Sequence, residues 1–589
     1  MTLIARPGWR RDAVRPSWPG LHRPLRLHLH LPEGLGLPAI VTLAALLLGA
    51  LPFLRLAIAA LAPGWQFAPD AALEQIGSRA AVNATLHTLE TAGFSALAAL
   101  LIGGAVALAL GITDMRHKRP LAFFFVFSMM IAPQVAALAF LSLFAPHSPI
   151  LGALGLSPVP GTPNPLLGRG GIILVMALHH APLVAITLWT GLRSVPHSLV
   201  EAAQMEGAGP ATIVARILLP VLRPQIIAAA LIAFVAGIGN FGIPALLGLP
   251  VNYLTLPTLI YRRLASFGPA GLSDAAALSL LVALVAGCGI LASVLATRRA
   301  GGKVEIERPL QPFWTLGRAR PLVAGALWTL LALKLGLPFL ALLCEALTPA
   351  LGVALSWQSL TLDKFTEVLL RQDVTMRAFR NSFLFAGSAA LLLALISIGF
   401  AYALERRMGR FRRVVELVIE LPYALPGVVL AIACILLFLK PLPLLGVSLY
   451  ATPFIILFAY LARFLPLALK APVAAMAQIE AHHEEAAKLD GASLWQMLRF
   501  VVAPILAPAA TVSGLMVFLV AFNELTVSAL LWSSGTETLG VVLFSLKEAG
   551  LAGEAAAVAI SASLIIFAVM LGLDLCGKRL PRNVLPWRI

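Results

Sequence analysis

The chain has 589 residues, of which 60% are hydrophobic and only 12% charged, whereas an average soluble domain carries about 25% charge. A sequence this apolar belongs in a bilayer, which excludes a soluble enzyme or a soluble nucleic-acid-binding domain as its main identity. The net charge of +16 falls in short clusters between apolar stretches, so it reports membrane orientation rather than affinity for nucleic acid.

Residues 1–35, with Arg6, Arg10, Arg11, Arg15, Arg23 and Arg26 among Pro and His, read as a basic tail that anionic lipid can hold. A spanning helix takes roughly 20 apolar residues, and twelve stretches qualify. Spans one to six lie at 38–62, 84–112, 121–144, 171–192, 226–247 and 274–297. A charged segment containing Gly and Pro, 298–321, links them to spans seven to twelve at 322–347, 381–404, 414–438, 452–471, 509–531 and 553–576. None shows period-two alternation, so the spans are helices and not barrel strands. The first is too long for the apolar core of a cleavable signal and is expected to be retained. Cys288, Cys344, Cys434 and Cys576 stand singly, without metal-ligand spacing, as small packing residues.

Basic clusters follow spans two (TDMRHKRP from Thr113), six (TRRAGGK from Thr297), eight (ERRMGRFRR from Glu405) and twelve (GKRLPRNVLPWRI). All share one side with the N-terminus, which the positive-inside rule makes cytoplasmic. The fold expected is all-α and polytopic, with first repeat 36–297, linker 298–321, second repeat 322–578 and a cytoplasmic tail 579–589. It is a multi-pass protein with both termini cytoplasmic.

The repeat itself is visible after spans four and ten, in EAAQMEGAGPATIVARILLPVLRP from Glu201 and EAAKLDGASLWQMLRFVVAPILAP from Glu485. Glu485 minus Glu201, Gly491 minus Gly207 and Pro504 minus Pro220 each give 284, close to half the chain. Six spans return the chain to its starting side, so the repeats are parallel, related by an axis along the membrane normal. Pro133 in span three matches Pro426 in span nine, and Asn83 is paired with Asn381 at the openings of spans two and eight. That pairing leaves an insertion of about 14 residues, assigned to Ser157–Gly171. Physically, each motif reads as a short helix with small residues Ala202 and Ala203, or Ala486 and Ala487. A Gly free to take positive φ follows, then a second helix ended by Pro220 or Pro504.

These motifs resemble the EAA signature of the membrane-spanning subunits of ABC importers. The resemblance implies two tandem six-helix type I importer permease repeats in a bacterial inner membrane. It further implies that Glu201, Ala202, Ala203 and Gly207, with Glu485, Ala486, Ala487 and Gly491, dock into two copies of an ABC ATP-binding subunit, and that a periplasmic protein delivers the substrate. The chain has no G-x-x-x-x-G-K-[ST], so ATP and Mg belong to those subunits. No cofactor, catalytic residue or metal site is expected in the chain itself.

Ionisable groups inside spans are candidates for a translocation path. Glu524 in AFNELTVSALL lies late in span eleven beside Asn523, and Asn240 in GNFGIPALLG is matched to Asn523 at an offset of 283. GTETLGV from Gly535 is matched by NYLTLPT from Asn252. These segments resemble the ferric iron, thiamine, polyamine and phosphonate permeases. His179 and His180 in span four stand opposite Arg463, at the 284 offset from His179, where helix packing competes with substrate contact. Glu416 and Glu420 are read as complementing a helix N-terminus, and Arg55 and Lys334 as snorkelling or paired. Ferric iron is the first choice of substrate, then 2-aminoethylphosphonate, thiamine or polyamine. The reading from another class is a proton-coupled secondary transporter of twelve helices.

Overall fold

The computed structural model describes residues 36–62, 66–146, 148–159, 161–265, 271–298, 309–350, 353, 356–441, 446–576 and 587. The basic tail at 1–35, residues 299–308 of the linker and the C-terminal tail apart from Trp587 lie outside them. All twelve expected stretches are helical. Nine are continuous helices long and apolar enough to cross a bilayer: Gly36–Leu61, Arg79–Ile112, Arg169–Arg193, Gly271–Leu295, Gly317–Leu347, Asp373–Arg406, Pro453–Met476, Leu494–Ala521 and Ala552–Leu575. Three are bent: span three (Lys118–Met130 and Pro133–Leu143, 101°), span five (Pro210–Val221 and Arg223–Ile238, 68°) and span nine (Gly409–Ala424 and Gly427–Phe438, 104°).

Proline explains the sharpest bends. Pro133 and Pro426 lack a backbone N–H and push their neighbours out of helical geometry. Accordingly Ile131, Ala132, Leu425 and Pro426 are all extended, with ψ of 133°, 142°, 151° and 140°. The half-helices beyond the breaks are buried along nearly their whole length.

Four other prolines are met by a local widening of the helix. Four single π turns, Leu46–Ala50, Val214–Leu218, Ala332–Gly336 and Leu498–Val502, each end two residues before a proline: Pro52, Pro220, Pro338 and Pro504. The wider turn gives the ring room where it would otherwise strike a carbonyl one turn back. Pro504 therefore lies within a continuing helix, Leu494–Ala521, and does not end it, contrary to the expectation from sequence, whereas the helix that holds Pro220 ends one residue later, at Val221, before the 68° bend.

The two sequence repeats are not two packing units. Span one leans on span nine of the other repeat, where Gly49 approaches Val418 and Arg55 Nε donates to Leu436 O at 3.4 Å. Reciprocally, span seven packs against span three, with Leu327 and Leu331 beside Leu121 and Phe125. Neither Arg55 nor Lys334 snorkels: Arg55 bonds across the swap and Lys334 is buried with its Nζ 4.3 Å from the Phe125 ring centre.

A latch appears once in each repeat and corrects the register assumed from Asn83. Asn381 Nδ2 donates to Glu537 O (3.0 Å) and Ser382 Oγ accepts from Leu539 N (2.9 Å). In the first repeat, His87 Nδ1 meets Leu254 O (2.9 Å) and Thr88 Oγ1 accepts from Leu256 N (2.8 Å). Asn381 thus corresponds to His87, whereas Asn83 is exposed. His87 to Glu201 is 114 positions and Asn381 to Glu485 is 104, so the insertion is ten residues and not about 14. It lies in the longer connection between Leu143 and Arg169, matched in the second repeat by the one from Phe438 to Pro453. The sequence match of Asn252 with Gly535 holds in space: both take positive φ, 54° and 90°.

The linker does more than tether. Phe313 N and Trp314 N donate to Ile112 O (3.0 and 2.9 Å), Asp114 N donates to Trp314 O (3.2 Å), and Pro309 bridges to Pro196. Asp114 accepts from Leu316 N at 2.9 Å and pairs with Arg320. The Leu316 amide, then the Arg320 guanidinium, hold its carboxyl below the ordinary carboxylate range. A depressed folded-state pKa stabilises above the unfolded pKa and ceases to do so as pH falls through the folded value. The stability difference between the wild type and Asp114→Asn is therefore expected to be constant above about pH 5 and to close below about pH 4, read as thermal midpoints across that range.

Candidate functional site

The two motif helices, His197–Met205 and His482–Leu489, end in the same hydrogen-bonded cap. Gly207 N donates to Gln204 O (2.9 Å) and Ala208 N to Ala203 O (2.9 Å); Gly491 N donates to Lys488 O (3.0 Å) and Ala492 N to Ala487 O (3.0 Å). This is the Schellman arrangement, which needs a left-handed residue just past the helix. Gly207 and Gly491 supply it with φ of 80° and 75°. The spacing from the second Ala to the Gly is thus the spacing of the cap. Ala203 and Ala487 are half-buried against the chain's own core, while Glu201, Ala202, Glu485 and Ala486 are exposed. Glu201 lies 3.7 Å from His197 and Glu485 lies 3.5 Å from His482.

Between the small residues and the Gly, each copy thrusts out one large apolar side chain that the sequence reading passed over. Met205 and Leu489 are both 89% exposed, and they differ by the same 284 positions. An isolated exposed apolar residue is ordinary; the same one at the tip of both copies is a repeated knob beside a small-residue face.

The copies are braced differently. In the first, Leu310 of the linker is buried with Val200 and Ile213. In the second, the position of Val200 is taken by Glu484, 5% exposed, which accepts from Arg406 Nε (2.8 Å) and Tyr402 Oη (3.3 Å), while Arg406 also bonds Ile479 O. These contacts put the loops after spans two and four beside the linker, and the loops after spans eight and ten beside each other, as the basic clusters implied. Glu416 is ion-paired with Arg412 at 2.7 Å, and Arg412 also reaches Glu405 at 2.5 Å. Glu416 thus completes this basic loop and is not a helix-terminus partner; Glu420 is exposed.

Between the repeats, four helix breaks converge. Gln134, just past the break in span three, donates its Nε2 to Asn523 O at 3.1 Å. The break in span nine meets the end of span five, where a Cβ on Gly239 would stand 3.5 Å from Pro426. Span eleven ends at Ala521, so Glu524 lies in the break after it and not within its last turns. Its carboxylate accepts from Val527 N (3.0 Å), Ser528 N (3.2 Å) and Thr526 Oγ1, capping the short helix Ser528–Leu531. Asn240 Oδ1 accepts from Ile243 N (3.1 Å) and caps Gly242–Gly248 in the same way. The counterpart of Asn240 is therefore Glu524, at 284, and not Asn523, which corresponds to Gly239. Losing the Glu524 cap through Glu524→Ala is expected to cost about 1 kcal/mol, measurable as a lowered unfolding midpoint.

Arg463 joins this centre: a Cβ on Gly427 would lie 3.0 Å from its Nη1 and against Thr526. His179 does not join it. It faces a separate pocket with Lys334, so the two residues that sequence placed opposite each other serve different surroundings. Phe241 and Phe544, from different repeats, lie 6.0 Å apart and form a triangle with Tyr261, 5.2 Å from Phe241 and 5.8 Å from Phe544.

Residues 34–300 and 396–585 match the family of binding-protein-dependent transport system inner membrane components, so the chain belongs to that family and carries its unit twice. A probable ABC transporter permease, y4fN of Sinorhizobium fredii, is 26% identical over 69% of this chain and 72% of its own length. The ferric transport system permease FbpB of Actinobacillus pleuropneumoniae is 24% identical over 88% of this chain and 75% of its own. The spermidine/putrescine permease PotC of Escherichia coli is 25% identical over 40% of this chain and 87% of its own. The chain is a multi-pass inner-membrane permease of an ABC importer, which displaces the proton-coupled reading.

Proposed function

We propose that this permease carries ferric iron, and that its motif helices are the docking points for two ATP-binding subunits. The observation that supports the substrate reading is that ferric transport permeases of two organisms match this chain through both repeats, over 88% and 83% of its length. Docking is supported by two identically capped helices, each presenting an exposed small-residue face and an apolar knob. Hydrolysis of Mg-bound ATP then belongs to the partners, and a periplasmic protein presents the substrate.

The path runs between the repeats at the converging breaks, where Glu524, Asn523, Asn240 and Arg463 supply the polar groups. Motion of the docked loops passes through spans five and eleven, which connect them directly to those breaks. Glu524→Gln keeps an acceptor oxygen for the cap and is expected to leave the chain assembled while lowering uptake at least about tenfold, roughly 1.4 kcal/mol at the barrier. Unchanged uptake and assembly would remove Glu524 from the path.

The substrate is tested by uptake of labelled ferric iron into cells with and without this chain, with an energy-depleted control. 2-Aminoethylphosphonate, thiamine and spermidine serve as competitors. Energy-dependent iron entry that disappears with the chain is expected. Chain-dependent uptake of a competitor with iron entry unchanged would overturn the iron reading and leave the importer assignment in place.

A further inference from the structure

Away from the path, a pocket of 20 Å³ lies where spans three and four of the first repeat meet the swapped span seven, lined by Ser128, Ile131, Val175, His179, Lys334 and Phe339 among others. No residue of spans five, nine or eleven lines it. Lys334 is 6% exposed, and its Nζ has no hydrogen-bond partner. His179, which also lines the pocket, and His180 beside it are buried, and the Nδ1 of each is likewise unpartnered. The proton of Ser128 is already given to Phe125 O at 2.6 Å, and no carboxylate appears in the lining among the described residues.

An ammonium in this position is the costly case: a buried, unpaired charge carries a penalty of several kcal/mol. The face of the Phe125 ring, its centre 4.3 Å from the Nζ, offsets only part of that. The site is also built in one repeat only. Lys334 sits inside the π turn Ala332–Gly336, a kind of turn often found at functional positions; the corresponding turn Leu46–Ala50 carries Leu48, and Arg463 stands where the first repeat has His179.

We propose that this pocket binds one small inorganic anion of halide size, held by Lys334 Nζ and a ring N–H of His179. The pocket has room for a particle of at least water size, which a halide ion matches. The anion neutralises Lys334 and fastens span seven to the repeat it is swapped onto, so its effect is on the stability of the swapped packing.

The test is thermal unfolding of the full chain in lipid nanodiscs as chloride replaces gluconate at constant ionic strength. The wild type is expected to gain roughly 1–2 °C per tenfold chloride once binding is saturated. Lys334→Met should lose that dependence in all chloride concentrations, and Lys334→Arg should retain it. A wild type indifferent to chloride, or a Lys334→Met chain that responds as the wild type does, overturns the proposal. Should Lys334→Met fail to fold, a bromide-soaked crystal of the wild type decides: anomalous scattering between Lys334 and His179 supports the site, and water alone there refutes it.

Discussion

Replacing Met205 and Leu489 together with Asp is expected to abolish energy-dependent uptake while leaving the chain folded and inserted. Both side chains are 89% exposed, so the exchange removes almost no packing, and surface changes of this kind usually shift stability by less than about 0.5 kcal/mol. A docking knob is another matter. Truncating a buried anchor at a protein interface costs about 2 kcal/mol or more, and a carboxylate forced into an apolar cleft adds desolvation. With both docking points damaged, uptake should fall at least about a hundredfold, while each single substitution leaves the opposite side engaged and costs less. Uptake rates, with the amount of inserted chain measured alongside, check this.

Glu484→Ala should unfasten the second motif helix and leave the first untouched. The substitution strands Arg406 with only Ile479 O and opens a gap beside Tyr402. Breaking a fully buried pair costs about 3–5 kcal/mol; Arg406 is partly exposed to water, so about 2 kcal/mol is the appropriate expectation. Hydrogen exchange should then quicken roughly thirtyfold in His482–Leu489 and stay unchanged in His197–Met205, which the linker braces. Glu484→Gln, still able to accept from Arg406, should lie between. Equal loosening of both helices would mean that the braces are not independent.

The difference in bracing could not be read from the repeats, because Val200 and Glu484 occupy one position with opposite chemistries. Their partners come from remote segments, the linker and the end of span eight. What sequence did carry was whatever depends on local covalent chemistry or on spacing. Helix-length apolar runs gave the twelve spans, Pro133 and Pro426 gave matched breaks, and the constant offset of 284 gave the duplicated motif with its glycines. Long-range partnership was invisible. The exchange of spans one and seven leaves no mark in hydropathy, since lipid and a neighbouring helix ask for the same apolar surface. Asn83 was paired with Asn381 on residue type alone, whereas the latch conserves a task, and His87 performs it. Asn240 was matched to Asn523 for the same reason, whereas it caps its helix with an amide oxygen where its counterpart, Glu524, uses a carboxylate. Pro504 misled because a π turn can accept a proline that an α-helix would not, whereas Pro220 does stand one residue before its helix ends.

The central claim is that this one chain offers two equivalent docking points to ATP-binding subunits. The most direct measurement places a photo-crosslinking side chain at Met205 in one variant and at Leu489 in another, in native membranes, and identifies what each captures. Capture from both positions of a subunit bearing the G-x-x-x-x-G-K-[ST] phosphate loop is the predicted result. Capture from only one position, or of lipid alone from both, would contradict it.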